Sequence, residues 1–264
     1  MLKDITLGQY FPKDSIIHRL DPRFKIIMTA LYIAILFATD SFYGLIVGTL
    51  FAWIVWFMTK IPIKLMWKSL KPIMPIIVIT AILNLFMIEG DKTLWKWGFL
   101  EITDDSLHEC IFNTIRIIML IVGSSILTYT TSPVNLTDGI ERLFSPLKRL
   151  NVPVHELAMM MTIALRFIPL LIDETDKIIS AQKSRGASFE VGSLKERASA
   201  IVPVLIPLFI SAFRRSNELA LAMECRCYHG GDGRTRLKQL KAKPSDYLAL
   251  TVTTSVLVVN VVVF

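Results

Sequence analysis

The chain has 264 residues, of which 53% are hydrophobic and only 19% charged, with a mean hydropathy of +0.54 and a net charge of +7. Those values lie outside the range of soluble domains and identify an integral membrane protein. The positive charge suits basic loops on anionic lipid or an acidic partner better than nucleic acid, and three cysteines, Cys110, Cys225 and Cys227, give neither zinc-site spacing nor a disulfide framework.

The N-terminal "MLKDITLGQYFPKDS" is polar and lacks the apolar core of a signal peptide, so the first span is expected to insert and remain. A helix needs roughly 17 to 25 apolar residues to cross a bilayer. Four stretches before residue 131 approach that length, Phe24 to Thr39, Phe42 to Met58, Pro72 to Ile88 and Ile111 to Thr130, and a fifth runs from Tyr247 to Phe264. The fifth is rich in valine and threonine, but a lone segment in lipid must satisfy its own backbone, so helix is expected.

Loop charge alternates along these spans. The N-terminal segment carries Lys13, Arg19, Arg23 and Lys25, and Lys60, Lys64, Lys68 and Lys71 join the second span to the third; both groups are expected in the cytoplasm. The first connection carries Asp40. The third carries Glu89, Asp91, Glu101, Asp104, Asp105 and Glu109, with Trp95 and Trp97 as interface anchors, so both face outward. Arg116, with Asn113 one turn before it, either marks a polar pathway or snorkels to the outer surface.

Residues 136 to 245 have a different character, with apolar runs interrupted by charge. "VHELAMMMTIALRFIPLLIDETDKIISAQKSR" (154 to 185) and "RASAIVPVLIPLFISAFRRSNELALAMECR" (197 to 226) are each apolar early and amphipathic late. As continuous helices they would reach about 45 Å, with Pro169, Pro203 and Pro207 bending them. Basic residues on both sides of the second apolar core, Lys195 and Arg197 before and Arg214 and Arg215 after, predict an arm beneath the membrane rather than a crossing. The expected organisation is a membrane domain of four spans (1 to 135), a cytoplasmic domain (136 to 245) and a last span (246 to 264). The N-terminus would lie inside and the C-terminus outside.

Set without a gap, "DKIISAQKSRG" falls over "NELALAMECRC", pairing Ala181 with Ala222 and Arg185 with Arg226. A cation at a helix C-terminus is an ordinary cap, and Gly186 an ordinary residue beyond a helix end. Lysine would serve that purpose equally, whereas an arginine fork suits bidentate pairing with a partner. Met159, Met160 and Met161 are either core filling or an adaptable surface for exchangeable apolar partners. His155-Glu156 lacks the second histidine of a zinc-protease helix, and no nucleophile, base and orienter stand together. No glycine precedes a lysine, so no G-x-x-x-x-G-K phosphate loop exists.

"LDPRFK" (20 to 25), "ALRFIPLLIDE" (164 to 174) running into "AQKSRG", and "ECRCYHGGDGRTRLKQL" (224 to 240) resemble the transmembrane component of energy-coupling factor transporters. That family's tips usually read Ala-Arg-Gly; here they read Ser184-Arg185-Gly186 and Cys225-Arg226-Cys227, the second without its glycine. The resemblance implies an all-α membrane protein of about five spans with two long coupling helices. It implies a non-catalytic subunit in a bacterial cell membrane, whose arginine tips dock on two ATPases that bind ATP and magnesium. Its apolar surface, with Met159 to Met161 as a contact, would carry a separate vitamin- or micronutrient-binding membrane subunit, one of several that share it. No cofactor, metal or nucleic acid is expected in the chain itself. A membrane-embedded enzyme would show paired acids or histidines within spans, and a self-sufficient secondary transporter would show repeated span groups around an ion site.

Cysteines introduced by Lys64→Cys and Asp105→Cys are expected to react with membrane-impermeant reagents from opposite sides; labelling of both from one side would contradict the alternating topology.

Overall fold

In a computed structural model of the chain, the described residues are 9–87, 93–97, 100–150, 152–187, 189, 193–230 and 240–263; within these, the side chains of 87 and 93–102, of 194, 196 and 197, and of 261–263 are not described. Apart from two short strands, every regular element among them is helical. The elements run α1 (Ile16–Arg19), α2 (Pro22–Ala38), α3 (Phe42–Thr59), α4 (Ile63–Leu70), α5 (Met74–Met87), β1 (Thr93–Trp97), β2 (Leu100–Thr103), α6 (Asp104–Thr130), α7 (Pro133–Phe144), a 3₁₀ turn (Ser145–Leu150), α8 (Val154–Ser184), α9 (Leu194–Glu224) and α10 (Pro244–Val263).

Four of these helices, α3, α6, α8 and α9 from Ala198, are long and apolar enough to cross a membrane, and α4 with α5 makes a fifth if that pair, bent by 63°, is one span. The third expected span, Pro72 to Ile88, is α5; α4 precedes it within the lysine-bearing connection, and the chain bends between Leu70 and Met74, where Pro72 cannot donate a backbone hydrogen bond. The fourth begins seven residues earlier than its apolar run, because Thr103 caps it: Ser106 N donates to Thr103 Oγ1 and Thr103 N to Ser106 Oγ, with Asp104 and Asp105 at the positive end of the helix dipole. Before it, β1 and β2 pair antiparallel, with Lys96 opposite Glu101. The side chains of Trp95 and Trp97 lie outside the described residues.

By their contacts the residues divide into two units, one of Gly8–Gly139 with Leu240–Phe264, the other including Ile140–Gln239. In the first unit α10 packs on α2 and α3 although more than 180 residues separate them in sequence. Small residues permit this closeness. Gly44, Gly48 and Ala52 lie four apart on α3; Asn260 Nδ2 donates to the Gly44 carbonyl at 2.7 Å, and a Cβ on Gly48 would come within 3.1 Å of Leu36. On α6, a Cβ at Gly123 would meet the buried Tyr32 ring at 2.3 Å.

The "LDPRFK" residues form a buried polar node. Asp21 caps α2, accepting from Arg23 N and from the Arg23 guanidinium, whose Nη2 lies 2.8 Å from Oδ2. Lys25 Nζ donates to the carbonyls of Thr130 and His18, at 3.0 and 3.2 Å, closing the orphaned end of α6. Asp246, 1% exposed, receives Asp21 N on one oxygen and Lys243 N, at the start of its own helix, on the other. Two acids and two bases thus converge where α2 and α10 begin and α6 ends. Sequence reading placed Lys25 and Arg23 but passed over Asp246, whose partner is 225 residues away.

Arg116 occupies the opposite end of the bundle. Its Nη2 donates to the Thr39 carbonyl at the C-terminus of α2, its guanidinium carbon sits 4.5 Å over the Phe112 ring, and Asp40 lies 3.8 Å away. These contacts make it a seal between α2 and α6, in place of the polar pathway weighed from sequence.

Removing one member of a buried charged network leaves the others unpaired, at a cost of about 3 kcal/mol or more. Asp246→Ala is expected to lower the thermal unfolding temperature of the detergent-purified protein markedly, while the exposed neighbour change Ser245→Ala leaves it within error.

Candidate functional site: two arginine-tipped helices

The second unit is built on α8 and α9, each a continuous helix of 31 residues despite their internal prolines. Proline removes the hydrogen bond to the carbonyl four residues earlier. Pro207 leaves the Pro203 carbonyl without its helical donor, and Gln182 Nε2 of α8 supplies one at 3.3 Å. Arg215 Nη2 on α9 reaches Glu174 Oε2 on α8 at 2.7 Å. Together these pairings give α8 and α9 an antiparallel register. Further along the same pair lies a cleft of about 490 Å³, with Ile163, Phe167 and Leu171 on one wall and Ser216, Leu219 and Met223 on the other. His155 Nδ1 and Glu141 Oε1, 3.0 Å apart, tie the start of α8 to α7.

Both helices end in the same way. At the first tip, Gly186 N donates to the Lys183 carbonyl and Ala187 N to the Gln182 carbonyl, both at 3.0 Å, with Gly186 at φ +89°. At the second, Cys227 N donates to the Glu224 carbonyl at 2.9 Å and Tyr228 N to the Met223 carbonyl at 3.0 Å, with Cys227 at φ +56°. Each is a Schellman closure, in which one left-handed residue lets two amides turn back on the last helical carbonyls. The missing glycine therefore does not alter the second tip; Cys227 adopts the left-handed conformation itself, at a cost of about 1 kcal/mol. Arg185 and Arg226 each occupy the position just before the left-handed residue. Both are exposed, as are Ser184, Gly186, Cys225 and Cys227, and neither guanidinium has a hydrogen-bond or ion-pair partner among the described residues.

In the antiparallel register Arg226 stands opposite a residue near 160, so the tips lie at opposite ends of the pair, separated by roughly 37 Å of helix. The apolar surface between them is largely uncovered. Only 6% of the apolar segment of either helix is buried within the chain, against 33% for α3 and α6. Val202, Leu205, Ile206, Phe209, Ile210 and Phe213 form an exposed strip along α9. On α8, Met160 and Met161 are exposed at 57% and 48%, and Met159 is half-buried. The α9 strip was legible as 3.6-residue periodicity but was read as an arm without a named contact face. Among the described residues no three histidine, cysteine or acidic side chains are placed to hold a metal. Most of "GGDGRTRLKQL", residues 231–239, lies outside the described residues.

Because glycine relieves left-handed strain, Cys227→Gly is expected to slow hydrogen exchange at the Tyr228 amide about fivefold, and Gly186→Ala to speed exchange at the Ala187 amide by a similar factor.

Residues 13–237 match the family model CbiQ, described as a cobalt transport protein. Over 253 residues, 96% of this chain and 94% of the relative, the sequence is 54% identical to the energy-coupling factor transporter transmembrane protein EcfT of Ruminiclostridium cellulolyticum. It is 54% identical over 250 residues (94% and 93%) to the protein of the same name from Clostridium kluyveri, and 45% identical over 240 residues (91% of each) to that of Bacillus subtilis. With most of its length matched by the family model and nearly all of it by these relatives, the chain belongs to the family of transmembrane components of energy-coupling factor transporters.

Proposed function

We propose that this chain is the mechanical link of such a transporter, joining two cytoplasmic ATPases to a separate membrane subunit that binds a vitamin or micronutrient. The observation that supports it most is the pair of tips. Two helices of equal length end in one backbone motif, and each presents an exposed arginine at the same step of it. A cap needs only a cation near the last carbonyls, whereas a guanidinium turned outward at a fixed position suits a carboxylate or backbone carbonyls on a docking partner.

In this reading the ATPases bind ATP and magnesium, and the chain has no catalytic residue. When two ATPases close on nucleotide, tips seated in both are displaced relative to each other, and α8 and α9 carry that displacement as stiff levers to the apolar strip. The strip and Met160–Met161 contact the substrate-binding subunit by shape and apolar area. Few directional bonds are required there, which suits exchange among several such subunits. The cationic N-terminal segment and second connection support an N-terminus on the cytoplasmic side of a bacterial cell membrane and a C-terminus outside.

A desolvated interfacial arginine contributes about 2 kcal/mol or more, an exposed capping charge well under 1. Arg185→Ala and Arg226→Ala are each expected to reduce substrate uptake in reconstituted vesicles at least tenfold, with the double change also losing the ATPases in pull-down. Lysine at either position should rescue poorly, since it keeps the charge and loses the fork. Wild-type uptake and ATPase retention in the double mutant would leave the arginines as ordinary caps.

A further inference from the structure

Helix α4 divides its surface into three strips. Met66 and Leu70 are buried at 6% each, and Tyr129 of α6 fixes the helix from behind, its hydroxyl donating to the Leu65 carbonyl at 3.1 Å and lying 2.6 Å from Ser69 Oγ. Ile63 and Trp67, one turn apart, follow around the helix and are exposed at 46% and 57%. Next come Lys64, Lys68 and Lys71, at i, i+4 and i+7, all exposed. Going round from the bundle, the order is buried apolar, exposed apolar, cationic.

That order is the profile of a helix lying in the plane of a membrane interface, its exposed apolar strip in the acyl boundary and its cations among the headgroups. Three further observations agree with it. The 63° bend between α4 and α5 takes α4 off the line of the span that follows. Lys60 adds a fourth cation in the left-handed turn (φ 57°) just before α4, where Lys13 Nζ holds its carbonyl at 2.9 Å. No aspartate or glutamate occurs between residues 41 and 88, so nothing on α3, α4 or α5 neutralises these lysines; Asp14, the acid nearest Lys60 in its effect, is paired with Arg19 at 2.5 Å.

We infer that α4 is an interfacial anchor selective for anionic phospholipid, with Lys64, Lys68 and Lys71 engaging headgroup phosphates and Ile63 and Trp67 seated in the acyl boundary beneath them. Each lysine near an anionic surface contributes about fivefold in affinity. The inference stands independently of the tips and of any ATPase.

The full chain in nanodiscs of equal phosphatidylglycerol and phosphatidylcholine, released into native mass spectrometry, is expected to retain phosphatidylglycerol preferentially. Lys64→Gln, Lys68→Gln and Lys71→Gln together should cut that preference about tenfold or more, and the corresponding three Lys→Arg changes should keep it. The Trp67 fluorescence component, isolated by difference against Trp67→Phe, should be quenched by brominated phosphatidylglycerol. Equal retention of the two lipids by the wild type, or a preference unchanged in the glutamine variant, would overturn the inference. So would a glutamine variant that keeps its lipid preference but loses partner subunits, since the face would then dock protein.

Discussion

Inside a bilayer there is no water to complete a hydrogen bond, and the first unit is organised by that constraint. Every helix end or side-chain charge drawn into it must find its partner within the protein. Asp21, Arg23, Lys25 and Asp246 meet it at one end, balancing two negative charges with two positive ones and closing three helix termini together. At the other end Arg116 closes α2 through the Thr39 carbonyl, and Asn260 bridges Thr39 Oγ1 and the Gly44 carbonyl. Between these polar ends the contacts are apolar and close, set by glycines that admit Tyr32 and Leu36. The node is worth more as a specification than as an attraction, because it allows one pairing of α2 with α10 and penalises any other by leaving a buried charge alone.

The second unit shows the opposite condition. Its helices are internally satisfied, even at Pro207, where Gln182 replaces the missing donor, yet most of their apolar surface and both terminal arginines face outward. Among the described residues, a unit that leaves most of its apolar faces uncovered and its tip cations unpaired has surfaces suited to other molecules. For the apolar strip these are lipid or a membrane protein; for exposed guanidinium groups at fixed positions they are groups with oxygen acceptors. Stiffness follows from the same features. Two continuous 31-residue helices, in contact through Glu174–Arg215 and Gln182–Pro203, are suited to carry a displacement along their length.

Much of this was legible in the sequence. The helices, the two arms with their internal prolines, and the matched arginines could be read from apolar periodicity and an ungapped alignment of two segments. The bend between α4 and α5 carried a signal in Pro72, where the third apolar run begins, whereas α4 itself lay in a connection read only for its charge. The hairpin of β1 and β2 was obscured by its acids, which drew attention to topology rather than to the alternation in "TLWKW". What sequence could not supply was any pairing distant along the chain. Asp246 looks like one more polar residue before a span until Asp21 is beside it. Likewise, the ungapped match set Cys227 in the place of Gly186, but only the hydrogen bonds of Tyr228 and Cys227 to α9 show that it takes the glycine's conformation. Apolar length by itself also counts α8 and α9 among the helices able to cross a membrane; they differ from α3 and α6 in how little of the apolar segment is buried, 6% against 33%.

The central claim is that the tips move relative to each other when the ATPases close. With Cys110, Cys225 and Cys227 replaced, spin labels introduced by Ser180→Cys and Leu221→Cys sit about one turn behind each arginine, at exposed positions within the range of pulsed electron paramagnetic resonance. In the assembled transporter in nanodiscs, the account predicts that the distance distribution shifts to shorter values when a non-hydrolysable ATP analogue is added, and that Arg185→Ala with Arg226→Ala abolishes the shift. A distribution identical with and without nucleotide, in a complex shown to be transport-competent, would contradict it.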